Sequence, residues 1–359
     1  MPTAYVMSAK FAPGHFSHTL AFYRLFEACG FEPSLFLCDG YRSFLDAAPD
    51  YRAVPLDASA PAPDILLIYN LSMDDMRYVR PFLRENPSMR VWFVYHEPWP
   101  GFAAWAAHFL RGRESFAESV KAFGRYVFVR PLMKHVETVL LPSDAARSRY
   151  EAHCAGFNRN ARYRTFPLVF TDEAQGVSID ASERKYFSFI ATAWRNHGFD
   201  RFLDYVRYKA PDPSVFFRIA TRSDIRAALR DRTLQSLIRQ GRLLVRQGRP
   251  LSNDEINRAY ASSGCTWSLY RRSYQSGVLC KAMMFGSPVI ASEAGSFREF
   301  VDGDNGVSLS ADASLDEIDR AYQEIRRRGP EMSDAARRTF LNVFDYRVQI
   351  DAFRNLIGV

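Results

Sequence analysis

The chain has 359 residues, 47% of them hydrophobic, which is enough for two domains with cores of their own and excludes a disordered polypeptide. A formal charge of +7 favours an anionic partner, yet the 47 Lys and Arg are dispersed, with no zinc-finger spacing, RNP-like motif or basic tail, so nucleic acid is not the expected partner. No apolar run approaches the roughly 20 residues that cross a bilayer, residues 1–10 lack a signal-peptide pattern, and five scattered cysteines read as reduced thiols, so the expected location is the cytoplasm.

Short β-rich apolar runs alternate with helical patterns from the start. Strands are predicted at Ala4–Met7, Pro33–Leu37, Ile65–Tyr69, Val91–Tyr95 and Thr138–Leu141. The stretch Lys10–His18 (KFAPGHFSH) joins the first strand to the first helix, and such a loop points to the ligand side of a parallel sheet. Gly14, which permits close backbone approach, and His15 and His18 are therefore candidates for binding an acceptor; His18 alternatively caps the first helix. The two histidines lack a third ligand nearby, so no metal is expected. His96 and Glu97 follow the strand VWFVY, at the same ligand side. Residues 102–134 mix aromatics with Arg and Lys, a pattern for core packing or for resting on an anionic membrane.

The polar, aperiodic stretch Asp172–Glu183 reads as a boundary, giving an N-terminal domain over 1–170 and a second over 171–343. Strands are again predicted at Tyr186–Ala193, Ser214–Ile219, Leu243–Val245, Cys265–Leu269 and Pro288–Ala291. The fold class expected is α/β, two doubly wound Rossmann-like domains facing a cleft. Arg195 follows the first of these strands directly, where such folds place ligand contacts, and Ser276 and Gly277 open a helix whose first N–H groups can hold a phosphate. Residues 344–359 carry Val348, Ile350, Phe353, Leu356 and Ile357 at helical spacing and are expected to pack back on the first domain.

The run Tyr274–Gly306, YQSGVLCKAMMFGSPVIASEAGSFREFVDGDNG, resembles the nucleotide-binding segment of retaining glycosyltransferases of the GT-B fold, family four (glycosyl transferases group 1). The matching pieces are Gly277, Ala282 and Met283, Gly286, Pro288–Ser292, Glu299 and Asp302–Gly306, with Gly198–Asp200 and Gly248–Ser252 upstream. The chain departs from the family at its paired glutamates, where Ser273 and Lys281 stand.

The resemblance implies transfer of a sugar, with retention and without a metal or other cofactor, from a nucleoside diphosphate donor to a saccharide or lipid-linked hydroxyl acceptor, as in polysaccharide biosynthesis. It implies catalytic roles for His96, Arg195 and Glu299, and donor contacts from His197, Ser273, Tyr274, Gln275, Ser276, Gly277, Val278 and Lys281. Arg195 and His197 would stand at the family's basic pair; Arg222, Arg271 or Arg272 are further sources of charge. Peripheral contact with the inner membrane face is compatible with a lipid-linked acceptor. Two alternatives keep the architecture: a catalytically silent nucleotide- or sugar-binding partner, and a sugar-nucleotide epimerase drawing on His96, Glu97 and Glu299.

Overall fold

The computed structural model describes residues 1–69, 71–96, 98, 124, 127, 129–177, 183–271 and 276–358. They form two compact units, one of residues 1–171 with 346–359, the other of residues 172–345. Each is a parallel sheet with helical crossovers, so the doubly wound α/β class read from the alternation holds for both.

In the first unit the strands are β1 (Thr3–Ser8), β2 (Glu32–Leu37), β3 (Ala53–Pro55), β4 (Ile65–Ile68), β5 (Arg90–Val94), β6 (Thr138–Leu141) and β7 (Arg162–Thr165), in the order β3-β2-β1-β4-β5-β6-β7. Val6 pairs with Leu35 on one side and Leu67 on the other. Such strands are apolar throughout because helices cover both faces, and β4 (ILLI) is buried at every position. Helix Phe16–Ala28 contributes Phe22, Leu25 and Phe26 to this core.

Residues 346–359 belong to the same core. In helix Ile350–Ile357, Phe353 is fully buried, its ring centroid 5.1 Å from Phe26 and 5.6 Å from Phe166. Arg90 Nη1 donates to the Ile357 carbonyl at 2.9 Å, satisfying an acceptor in the last turn of the helix.

In the second unit the strands are β8 (Tyr186–Ile190), β9 (Phe216–Ala220), β10 (Leu243–Arg246), β11 (Ser263–Ser268), β12 (Val289–Ser292) and β13 (Gly306–Leu309), in the order β10-β9-β8-β11-β12-β13. Aromatic side chains fill one face: Phe187 lies 4.9 Å from Tyr322 and 5.5 Å from Tyr205, and Phe202 lies 5.4 Å from Trp267. Among the described residues, no helix is long and apolar enough to cross a membrane.

Candidate active site

Each sheet reverses its winding once, between β1 and β4 in the first unit and between β8 and β11 in the second. At such a point the flanking loops diverge and leave a crevice beyond the strand carboxyl ends. Several of the residues singled out from sequence follow the strands beside these two places.

In the first unit, β1 leads through the turn Pro13–His15 into helix Phe16–Ala28, while Tyr69 follows β4 and His96 follows β5. The rings of His15 and His96 lie 5.3 Å apart, and Tyr69 is 5.5 Å from the first and 4.7 Å from the second. His96 Nε2 is 3.1 Å from the Tyr69 carbonyl oxygen, which only accepts, so Nε2 carries the proton and Nδ1 remains an acceptor. Burial, reinforced by His15 beside it, lowers the His96 pKa to about 3, against the pull of the bond to Tyr69. A neutral imidazole fixed in this way can hold a hydroxyl; it is not a cation at pH 7.

One expectation for this loop, that for His18, is overturned. His18 is 1% exposed, donates from Nδ1 to the Val169 carbonyl at 3.0 Å and packs 4.0 Å from Phe170, so it is built into the core and neither meets a surface ligand nor caps the helix. Gly14 has an ordinary φ and no protein atom within 4 Å of where a Cβ would stand, so packing within the protein does not demand glycine, and the space beside its backbone is open.

In the second unit, β8 ends at Ile190, three residues before the predicted end at Ala193, because the chain turns into Arg195–His197. Gly198 closes this turn at φ +67, and a Cβ there would meet the Leu269 carbonyl at 2.5 Å, so backbone conformation and close packing both demand glycine. Trp267 Nε1 donates to the His197 carbonyl at 3.0 Å, and Arg271 N to the Asn196 carbonyl at 2.8 Å, fastening the turn to the end of β11. Arg195 is exposed on it, without an ion pair among the described residues.

His197 does not supply the second cation implied by the family. Burial lowers its pKa, its Nδ1 donates to the Thr192 carbonyl at 2.8 Å, and its ring stacks on Tyr270 at 4.5 Å. Arg271 is paired with Asp200 at 2.8 Å, which leaves exposed Arg195 and Arg222 as the cations after β8 and β9.

Helix Gly277–Met284 begins behind Ser276, which is buried but makes no side-chain cap. The first-turn N–H groups, those of Gly277 and Val278 included, have no intrahelical partner and suit an anion. Lys281, named from sequence as a donor contact, lies on the same helix but turns elsewhere. Its ammonium donates to Glu173 Oε2 at 3.1 Å, Asn253 Oδ1 at 3.0 Å and Asn257 Oδ1 at 2.9 Å, and both asparagines also donate to Glu173. Three partners use all three ammonium donors, and the side chain is 10% exposed. This correction makes Lys281 a tie between its helix, helix Asn253–Ala261 and the segment after residue 171.

Other matched pieces also do structural work. In the DGDNG turn, Asp302 accepts from the N–H groups of Asp304 and Asn305, while Asn305 donates to the Phe300 carbonyl and the Thr339 hydroxyl. Ser252 caps helix Asn253–Ala261 reciprocally with Glu255. Glu299 is exposed on the short helix Phe297–Phe300. Ser273, Tyr274, Gln275, Arg272, Glu97 and most of the basic and aromatic stretch 102–134 lie outside the described residues.

Three aromatic residues were not among the candidates from sequence: Tyr69, read only as a strand end, Trp194 and Tyr270. Their adjacency to candidate histidines is the signal, and it takes the fold to reveal it.

No protein-family model and no curated protein matches the chain. Among solved structures, Anabaena HepE in complex with UDP-glucose is similar over 100% of both chains, with a TM-score of 0.71 at 12% identity. A glycosyltransferase from Rickettsia africae is similar over 99% of this chain and 98% of its own, with a TM-score of 0.68 at 10% identity. Sucrose-phosphate synthase from Thermosynechococcus elongatus is similar over 100% of this chain and 98% of its own, with a TM-score of 0.67 at 12% identity. The fold is thus the two-domain GT-B type.

Proposed function

We propose that the chain is a retaining glycosyltransferase related to family four, which takes a sugar from a nucleoside diphosphate donor held by the second unit to a hydroxyl acceptor held by the first. The observation that carries this reading is that exposed Arg195 follows β8 and the uncapped helix behind Ser276 follows β11, the two strands that flank the switch point of the second sheet. Phosphoryl oxygens gather charge as the glycosidic bond breaks, and a fixed cation and backbone dipoles aimed there stabilise that charge without rearranging. We infer that this suffices without a metal. Neutral His96, presenting Nδ1 as an acceptor, orients a sugar hydroxyl. UDP is the favoured nucleotide because HepE is described with UDP-glucose and the pneumococcal O-GlcNAc transferase GtfA with UDP and GlcNAc. A saccharide or lipid-linked acceptor, the latter reached from the cytoplasmic membrane face, fits the basic charge.

A second reading, a binding protein without transferase activity, is favoured by one observation: Lys281 stands where the family has a carboxylate and is committed to Glu173. A radiolabelled-donor assay of transfer and donor hydrolysis decides between them. Arg195→Ala should lower turnover by at least ~100-fold, the scale of losing one preorganised charge-stabilising group. Unchanged transfer by that variant removes Arg195 from the mechanism, and binding without transfer or hydrolysis by the native chain establishes the second reading.

A further inference from the structure

We propose that Trp194 is the platform on which the donor's nucleobase stacks, an inference that rests on the nucleotide-sugar reading above. Trp194 is 54% exposed, whereas Trp92 and Trp267 are fully buried. A single exposed aromatic is ordinary, and exposure alone carries nothing. What distinguishes this one is that it ends a column of rings. Trp194 leans on His197 at 5.4 Å and 33°, His197 stacks on Tyr270 at 4.5 Å and 21°, and Tyr270 meets Phe297 edge-on at 5.5 Å.

The backbone beneath the column is fastened. The Trp194 carbonyl accepts from His197 N at 3.0 Å, its own N–H reaches the Thr192 carbonyl at 2.7 Å, and the following turn is fastened to β11 through Trp267 and wedged by Gly198. A ring presented in one orientation has little freedom left to lose when a flat ligand settles on it. Burial keeps His197 neutral, so the column continues as a π stack.

The column also leads to the phosphate end of the proposed site. Tyr270 stands two residues beyond β11, on the connection from that strand to helix Gly277–Met284, which Ser276 opens. Trp194 and Arg195 are adjacent, so one short turn offers a flat face and a cation. A hexose on that face would also need acceptors for its hydroxyls, and Asp200, the carboxylate that opens the following helix Phe199–Tyr208, is already paired with Arg271. A nucleobase needs chiefly the face.

Calorimetry of the full chain and its Trp194→Ala and Trp194→Phe variants with UDP, UDP-glucose and inorganic pyrophosphate tests this. Loss of a base–aromatic stack corresponds to about 5- to 150-fold in affinity. Trp194→Ala should weaken UDP and UDP-glucose by that factor and leave pyrophosphate within about twofold, while Trp194→Phe stays within a few fold of the native chain. Equal UDP affinity in Trp194→Ala overturns the proposal. So does equal loss of UDP and pyrophosphate, which marks a folding defect, or loss confined to UDP-glucose, which marks a sugar platform. A native chain that binds none of the three refutes the choice of a UDP-sugar donor on which the proposal rests.

Discussion

His96 illustrates how much a side chain's role depends on what surrounds it. As a residue type it titrates near pH 6.5, yet burial and His15 hold it down to about 3. The depressed folded value fixes the sign of its effect on stability: its contribution is fully present above the unfolded value near 6.5 and is lost as pH falls toward 3, because only the unfolded chain takes up the proton. Between pH 7 and 5 the native chain should lose about 2 kcal/mol more than His96→Gln in urea unfolding, and parallel stability profiles would contradict the assignment. The histidine's position after a strand was legible in the sequence; its neutrality was not, since it depends on burial in the folded unit and on His15 beside it. Lys281 shows the same limit more sharply. Its location on the phosphate-facing helix suggested a ligand role, but its partner Glu173 lies 108 positions away, and no local pattern announces that pairing.

Local elements were legible wherever both faces are buried. The strands that the sequence reading passed over, β3, β7 and β13, all lie at sheet edges. An edge strand is covered incompletely, so the apolar run that marks a central strand of a parallel sheet disappears: β7 reads RYRT and is mostly exposed. The turn after β8 was legible only in part. Gly198 marked it, but the early end of the strand, which puts Trp194 into the loop, follows from bonds to β11. Gly198→Ala forces a side chain into φ +67 and against the Leu269 carbonyl, and should lower the unfolding free energy by about 2 kcal/mol with an unchanged denaturant slope. Gly14→Ala, in open space at ordinary φ, should stay within about 0.5 kcal/mol. Equal effects of the two would mean that the turn is not held as described.

For the whole molecule, two parallel sheets of seven and six strands each place their candidate groups at the reversal of winding. The alternation of strands and helices made that architecture readable, and structures only 10–12% identical share it over almost the full chain. The chemistry is less deeply written: histidines and a tyrosine in one unit, and an arginine, a ring column and a helix end in the other. On the proposed function, the second unit grips a nucleoside diphosphate. Thermal unfolding with UDP, GDP, ADP and CMP tests it most directly, since a ligand that binds only the folded state stabilises it by about 2.7 kcal/mol at 100 times its Kd. We expect a concentration-dependent rise in Tm with UDP that is reduced in Arg195→Ala; no rise with any of the four nucleotides would contradict the account.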